Sequence, residues 1–315
     1  MINVAEIKDA HERIKPYIHC TPILKSTQLN NLLGCELFFK ADNLQKIGAF
    51  KARGACNAVF SLSDDLVPHG VITHSSGNHG AALAWASGLR GLACTVVMPK
   101  NSSQAKIDAV IGYGARLVFC EPNIEAREAT VTNLINQSGA YLVHPYDEYK
   151  IIAGQGTAAL ELFNQLDHPV DVVMAPIGGG GLLSGTALVA KSDEINYSPN
   201  VIGAEPEGAN DAWQGFKSGE RISQFSPKTI ADGLRATVGL KNFKIICEDV
   251  DDILLASEER IVEAMQLIWS RLKVVVEPSA AVCLACIMEE PEKFYGQHVA
   301  IILTGGNLDL DQLPW

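Results

Sequence analysis

Short β-branched and apolar runs alternate along this chain with longer stretches whose apolar residues recur every three or four positions. Runs of strand length and composition cover residues 70–74, 93–98, 115–120, 141–144, 171–177, 201–205, 252–256 and 299–303. Helical spacing covers 80–87, 104–111, 124–137, 153–164, 182–191 and 258–272, and residues 279–289 read as a helix as well. Residues 1–15 mix apolar positions with Glu6, Lys8, Asp9, Glu12 and Arg13 and read as an amphipathic helix. Strand and helix in alternation predict the α/β class, with largely parallel sheets covered by helices. Four of the strands fall close together, which predicts two lobes, each with its own sheet. The expected small domain is 70–146, and the expected large domain joins 1–69 to 147–315.

The composition suits a well-packed globular protein. Of 315 residues, 47% are hydrophobic and 19% charged, enough to bury a large core without a disulfide or metal staple. The 36 acidic against 25 basic side chains give a net charge of -11, which argues against a broad nucleic-acid surface but leaves room for a local anion pocket. The apolar segment 299–303 stops at Thr304, Gly305 and Gly306, so it is far too short to span a bilayer. The N-terminus lacks the apolar core of a secretion signal, and a soluble, cytoplasmic protein is expected. The eight cysteines are scattered among apolar neighbours, as reduced buried thiols would be. Cys283 and Cys286 form a C-x-x-C pair inside a helical stretch with no second pair, which favours core packing. No histidine spacing suggests a zinc enzyme.

The chemistry concentrates in four segments. Gly178, Gly179, Gly180 and Gly181 follow an apolar strand and precede a helical stretch, so backbone amides and a helix N-terminus can meet a phosphate there. The Rossmann pattern fails, because the sixth position holds Leu183 or Ser184 instead of glycine. A P-loop fails too, because Thr186 and Ala187 follow Gly185. The second segment, Ser75-Ser76-Gly77-Asn78-His79-Gly80, gathers small donors at a strand end, where they suit a carboxylate or phenolate. Ser75, Ser76 or Asn78 would also cap the following helix. In the third, Lys51 follows Phe50 and could carry a Schiff base beside an aromatic wall. The fourth, Thr304-Gly305-Gly306-Asn307, offers a hydroxyl where a strand ends, the place α/β ligands collect.

Together, and in this order, the four segments resemble the serine racemase and serine/threonine dehydratase family of fold-type II pyridoxal 5'-phosphate (PLP) enzymes, over essentially the whole chain. The resemblance implies that the large domain binds PLP, with Lys51 holding the cofactor and Phe50 packing beside it. It places Asn78 at the ring hydroxyl, Gly178 to Gly181 with Leu182 at the phosphate, and Thr304, where many relatives have serine, at the pyridine nitrogen. Ser75, Ser76 and His79 are implied at the substrate carboxylate, with Ser76 also the acid/base on the face opposite Lys51. Arg127 matches a carboxylate-side arginine of the racemase branch. Glu205, Ala209 and Asp211 match a divalent-cation site suited to magnesium, calcium or manganese. Asp232, Gly233 and Glu277 fall in matching segments, and a homodimer is implied.

A hydroxyl facing the pyridine nitrogen makes a weaker electron sink than a carboxylate would, which favours elimination. Lys51 would remove the α-proton and the β-hydroxyl would leave, with hydrolysis to a 2-oxo acid and ammonia. The expected activity is therefore a PLP-dependent ammonia-lyase for L-serine and L-threonine with serine racemase activity. The alternatives are an L-threo-3-hydroxyaspartate dehydratase, whose extra carboxylate Arg127 would bind, and a non-catalytic PLP or phosphate-binding protein. The length leaves little room for the regulatory domain of long threonine dehydratases.

Overall fold

A computed structural model of the chain describes all residues except Met1, Ser76 and Ser103, and all their side chains except that of Ile124. In chain order the helices and strands are α1 (Val4–Ile14), β1 (Ile23–Leu24), α2 (Thr27–Leu33), β2 (Glu36–Ala41), α3 (Lys51–Phe60), β3 (Val71–His74), α4 (Asn78–Arg90), β4 (Cys94–Pro99), α5 (Gln104–Gly112), β5 (Arg116–Cys120), α6 (Ile124–Ser138) and β6 (Tyr141–Leu142). They continue with α7 (Tyr149–Gln165), β7 (Val172–Pro176), α8 (Gly181–Ala190), β8 (Asn200–Pro206), α9 (Asp211–Ser218), α10 (Leu240–Asp249), β9 (Asp252–Ala256), α11 (Glu258–Leu272), α12 (Pro278–Glu289) and β10 (His298–Leu303). The strands form two sheets, ordered β1-β2-β10-β7-β8-β9 and β5-β4-β3-β6. Every pairing is parallel except that of β1 with β2.

Period-two alternation sorts the larger sheet's side chains onto two covered faces. Phe38, Val173, Ala175, Val201, Ala300 and Ile302 join one core with residues of α1, α7, α8 and α10. Leu37, Phe39, Val172, Met174, Val299 and Ile301 join the other with α2, α11 and α12. Cys283 and Cys286 are fully buried in that second core, as their apolar setting predicts. The smaller sheet is covered in the same way, and one of its cores draws Ala55, Cys56, Ala58 and Val59 from α3 against Val71, Val96 and Met98. Thus α3 packs on the smaller sheet's core while also lying against α7. A Cβ on Gly154 of α7 would come within 2.6 Å of the Gly54 Cα, so the two backbones meet almost without side chains between them.

The eight strands expected from the pattern all occur, and two more, β1 and β2, precede them. Lys40 breaks the apolar run of β2, yet its ammonium is fully buried, bonded to Glu161 at 2.8 Å, Gln165 at 2.8 Å and the Thr21 carbonyl at 2.7 Å. Helices α2, α3, α9 and α10 also went unmarked by the periodicity. For α3 the reason is burial on every side: residues 52–59 are all buried, so no polar face sets a period.

The packing around α3 centres on Arg53, which has no exposed surface. Its guanidinium donates to Asp42 at 2.6 and 2.9 Å, to both oxygens of Glu161 at 2.8 Å and to Thr157 at 3.2 Å. Removing the cation leaves two carboxylates buried with Lys40 as their remaining nearby ammonium, a loss that typically costs about 3–5 kcal/mol. Arg53→Met should therefore lower stability by about that much in denaturant unfolding. A loss below about 1 kcal/mol would show that the network does not bear on stability.

Candidate active site

Lys51 enters its position through a strained loop. After β2, Ile47 takes φ 58°, a left-handed conformation rare for a β-branched residue, and Asn307 Nδ2 holds its carbonyl at 2.7 Å. The loop is bonded to the turn after β10 again where Phe50 N–H donates to the Thr304 carbonyl at 2.9 Å. Lys51 then opens α3, its Nζ 5.2 Å from the Phe50 ring centroid and donating to the Pro145 carbonyl at 3.0 Å. Burial pushes its ammonium down to about 8, against the opposing pull of the Glu277 carboxylate.

A cavity of about 350 Å³ surrounds this amine. Its walls include Phe50, Lys51, Ser75, Asn78, His79, Arg127, the four glycines Gly178 to Gly181, Leu182 and Thr304, so the structure brings the described site residues of the four motifs together with Arg127. Ser76 lies outside the described residues. The capping expected of Ser75 or Asn78 does not occur: the N-cap of α4 is Gly77, without a side-chain cap bond. Ser75 Oγ instead accepts from Gly77 N–H at 3.1 Å, and the first turn of α4 keeps its free amide character toward the cavity. Asn78 is fixed by two partners, donating through Nδ2 to Glu277 at 2.8 Å and accepting at Oδ1 from Asn307 at 3.0 Å. Its second amide hydrogen is left to face a phenolate or similar acceptor.

The glycines are needed for shape. Gly180 has φ 91°, and a Cβ there would sit 2.8 Å from the Asn242 Cβ. The Tyr146 ring lies directly against Gly179, where any Cβ would collide with it. Helix α8 starts at Gly181 with no acidic residue in its first turn, so its unpaired amides form an anion seat. Thr304, also in the wall, is 4% exposed and its Oγ1 has no partner among the described residues, as a hydroxyl that serves a ring nitrogen would. A buried amine, a glycine-lined helix N-terminus and an unpartnered hydroxyl in one cavity fit PLP.

Arg127 reaches the cavity from α6, and its buried Nε also lacks a partner among the described residues. Glu277 is buried in the wall, and desolvation together with the Asp232 charge pushes it up to about 8. Desolvation holds His74 and His144 down to about 4 and His79 well below its usual value, so the three imidazoles are neutral at pH 7.

The residues expected at the cation site lie outside this wall. Glu205 lies near the end of β8 and Asp211 opens α9, 0% and 4% exposed, with Ala209 buried between them. Glu205 accepts from the Ala212 and Trp213 amides at 3.2 and 2.8 Å, and Asp211 from Val238 at 2.9 Å. Neither has a salt-bridge partner among the described residues, and burial together with the Asp211 charge pushes Glu205 well up. Two such carboxylates and a carbonyl supply the hard oxygen donors a divalent cation takes.

Sequence reasoning missed Lys106, Tyr146, Asp147 and Asn242. Lys106, on α5, pairs with Asp232 across the cavity mouth. Tyr146 and Asp147 follow the short strand β6, and their position at a strand's carboxyl end was the available signal.

The model of the "Pyridoxal-phosphate dependent enzyme" family matches residues 14–305. The chain belongs to that family. It is 47% identical to serine racemase of Dictyostelium discoideum, over 99% of this chain and 97% of that one. It is 50% identical to beta-hydroxyaspartate dehydratase of Paracoccus denitrificans, over 97% of this chain and 96% of that one. Among solved structures, maize serine racemase superposes with a TM-score of 0.95 at 42% identity, covering 98% of this chain and 94% of the other. The chain is a PLP-dependent enzyme with the fold-type II architecture. No helix among the described residues is long and apolar enough to cross a membrane.

If Lys51 takes up PLP as a neutral amine, the rate of uptake by the cofactor-free protein should rise with pH through about 8 and level off above it. Stopped-flow absorbance would measure this. A rise continuing toward pH 10 would mean that burial does not lower the amine.

Proposed function

We propose that this enzyme is an ammonia-lyase that converts L-serine and L-threonine to the 2-oxo acid and ammonia, with serine racemase activity. The observation that carries the reading is that the Lys51 amine and the unpartnered Thr304 hydroxyl line one cavity. PLP, when bound, supplies the electron sink for α-proton loss. A hydroxyl partner such as Thr304 leaves that sink weak, which favours prompt loss of a β-hydroxyl.

The chain's own residues divide the remaining work. Lys51, with its amine lowered by burial, accepts the α-proton at Nζ near neutral pH. The amides at the start of α4, with Ser75 and the neutral His79, bind the substrate carboxylate. Asn78, oriented by Glu277 and Asn307, donates to the ring oxygen. Gly178 to Gly181 and Leu182 hold the phosphate, and Phe50 and Tyr146 exclude water. Family resemblance supports Ser76 as the acid/base on the opposite face. It also supports magnesium, calcium or manganese at Glu205, Asp211 and the Ala209 carbonyl, and a homodimer. Free cysteines, most of them buried, fit a reducing compartment such as the cytoplasm.

A second reading has its own observation. Arg127 lines the cavity and its buried Nε has no partner among the described residues, which suits a guanidinium that takes the distal carboxylate of 3-hydroxyaspartate. The 50% identity to a beta-hydroxyaspartate dehydratase supports it as well.

Purified enzyme with PLP, magnesium and L-serine should yield pyruvate in a coupled assay and D-serine by chiral chromatography, and Lys51→Ala should abolish both. Full turnover by that variant would overturn the catalytic assignment of Lys51. Arg127→Leu should lower kcat/KM for 3-hydroxyaspartate by about 10- to 100-fold, the loss of one charge-assisted contact, and leave L-serine nearly unchanged if the dicarboxylate is the true substrate. Equal effects on both substrates would assign Arg127 to the shared carboxylate.

Magnesium or calcium should raise the unfolding midpoint of the wild type by several degrees and that of Glu205→Gln much less. Identical responses would remove Glu205 from the cation site.

A further inference from the structure

Gly179 is held from outside the cavity by a helix that none of the four motifs includes. Asn242, in the first turn of α10, has no exposed surface, and its Nδ2 donates to the Gly179 carbonyl at 2.8 Å and to the Tyr146 carbonyl at 3.1 Å. Both hydrogens of one amide are thus spent on two segments far apart in sequence. A second donor, Gly239 N–H, reaches the same Gly179 carbonyl at 3.1 Å.

The peptide joining Gly179 to Gly180 is trans, so its C=O and N–H point in opposite directions. With the carbonyl drawn out toward α10, the Gly180 N–H is turned the other way, toward the cavity that the glycines line. Asn242 is in turn fixed by Asp147. That carboxylate accepts the Leu240, Lys241 and Asn242 amides at 3.1, 2.9 and 3.4 Å and so caps α10. Asp147 adjoins Tyr146, whose ring covers Gly179, and the circuit closes on itself.

We propose that Asn242, set by Asp147, is a positioning residue for the cofactor phosphate: it aims the Gly180 amide at the anion by holding the Gly179 carbonyl. The proposal rests on the reading of the glycine loop as the phosphate seat. It separates the roles of the two ends of the cofactor, since Asn242 acts on the phosphate end alone while Lys51, Asn78 and Thr304 serve the ring.

Comparing PLP with pyridoxal, which lacks the phosphate, tests this directly. The cofactor-free wild type, Asn242→Ala and Asn242→Asp are titrated with each aldehyde, and binding is followed by absorbance. Both variants should lose affinity for PLP by about tenfold or more, the equivalent of one charge-assisted hydrogen bond, while their affinity for pyridoxal changes by less than about threefold. The 31P resonance of bound PLP should shift in both. Asp147→Asn, which keeps Asn242, should show the same phosphate-selective loss to a smaller degree and guards against a misfolded Asn242 variant. Equal losses for both aldehydes, or none, would overturn the positioning role. A wild type that binds pyridoxal as tightly as PLP would overturn the phosphate seat itself, and the role of Asn242 with it.

Discussion

Everything at the site depends on where α3 begins, and a buried knot of charge decides that. Arg53 lies two residues after Lys51, and its guanidinium joins Asp42, from the turn after β2, to Glu161 on α7. Lys40 meets the same Glu161 carboxylate, so two cations and two anions share one enclosed space. Apolar side chains of equal volume could fill that space with little loss of stability. They would not impose direction. The planar guanidinium offers its donors in a fixed fork, so strand, turn and helix have one mutual arrangement, and Lys51 inherits it.

From that anchor the site follows from the direction of the sheets. The strands β3, β7 and β10 run so that their carboxyl ends lead into Ser75, the glycine loop and Thr304. Helices α4 and α8 then start at the same cavity and point their amide ends into it. A chain with a net charge of -11 thereby makes a local seat for anions, with Lys51, Lys106, Arg127 and Arg235 in the wall. Asp232 tempers that field.

Much of this was legible in the sequence, for physical reasons. Strands buried on both faces are apolar throughout, so β7 and β10 stood out, whereas β2 hid behind the buried Lys40. The glycine loop and the Ser75 to Gly80 segment could be read because each compresses its chemistry into consecutive residues. The turn at Thr304 was less distinctive alone and drew its meaning from the others. What could not be read is whatever the fold assembles from a distance. The α3 helix lacks periodicity because nothing on it faces water, and it lies between the cores of both sheets, a placement that no local composition shift marks. Tyr146 and Asn242 meet Gly179 from about 30 and 60 positions away, and Asp147 meets Asn242 across 95, with no spacing rule to connect them. The capping expected at Ser75 or Asn78 failed for a related reason. Asn78 is engaged by Glu277 and Asn307, two residues more than 190 positions away, and a capping argument looks only at the next few residues.

The proton inventory of the cavity ties these levels together. The buried His79 and the half-buried His74 and His144 are held neutral by desolvation, so they neither repel an incoming cationic amine nor compete for its proton near pH 7. Lys51 and Glu277 are both drawn to about 8 by the same burial, one from above and one from below. Burial thus disfavours the charged form of both, lowering the amine and raising the carboxyl. An anion seated on the glycine loop would favour the protonated amine, and Asn78, with one hydrogen given to Glu277, keeps its other for a ring oxygen. The burial that makes the amine reactive is thus balanced by the hydrogen bonds that orient its neighbours. Shifting either side alone would move protons at the site without moving a single strand.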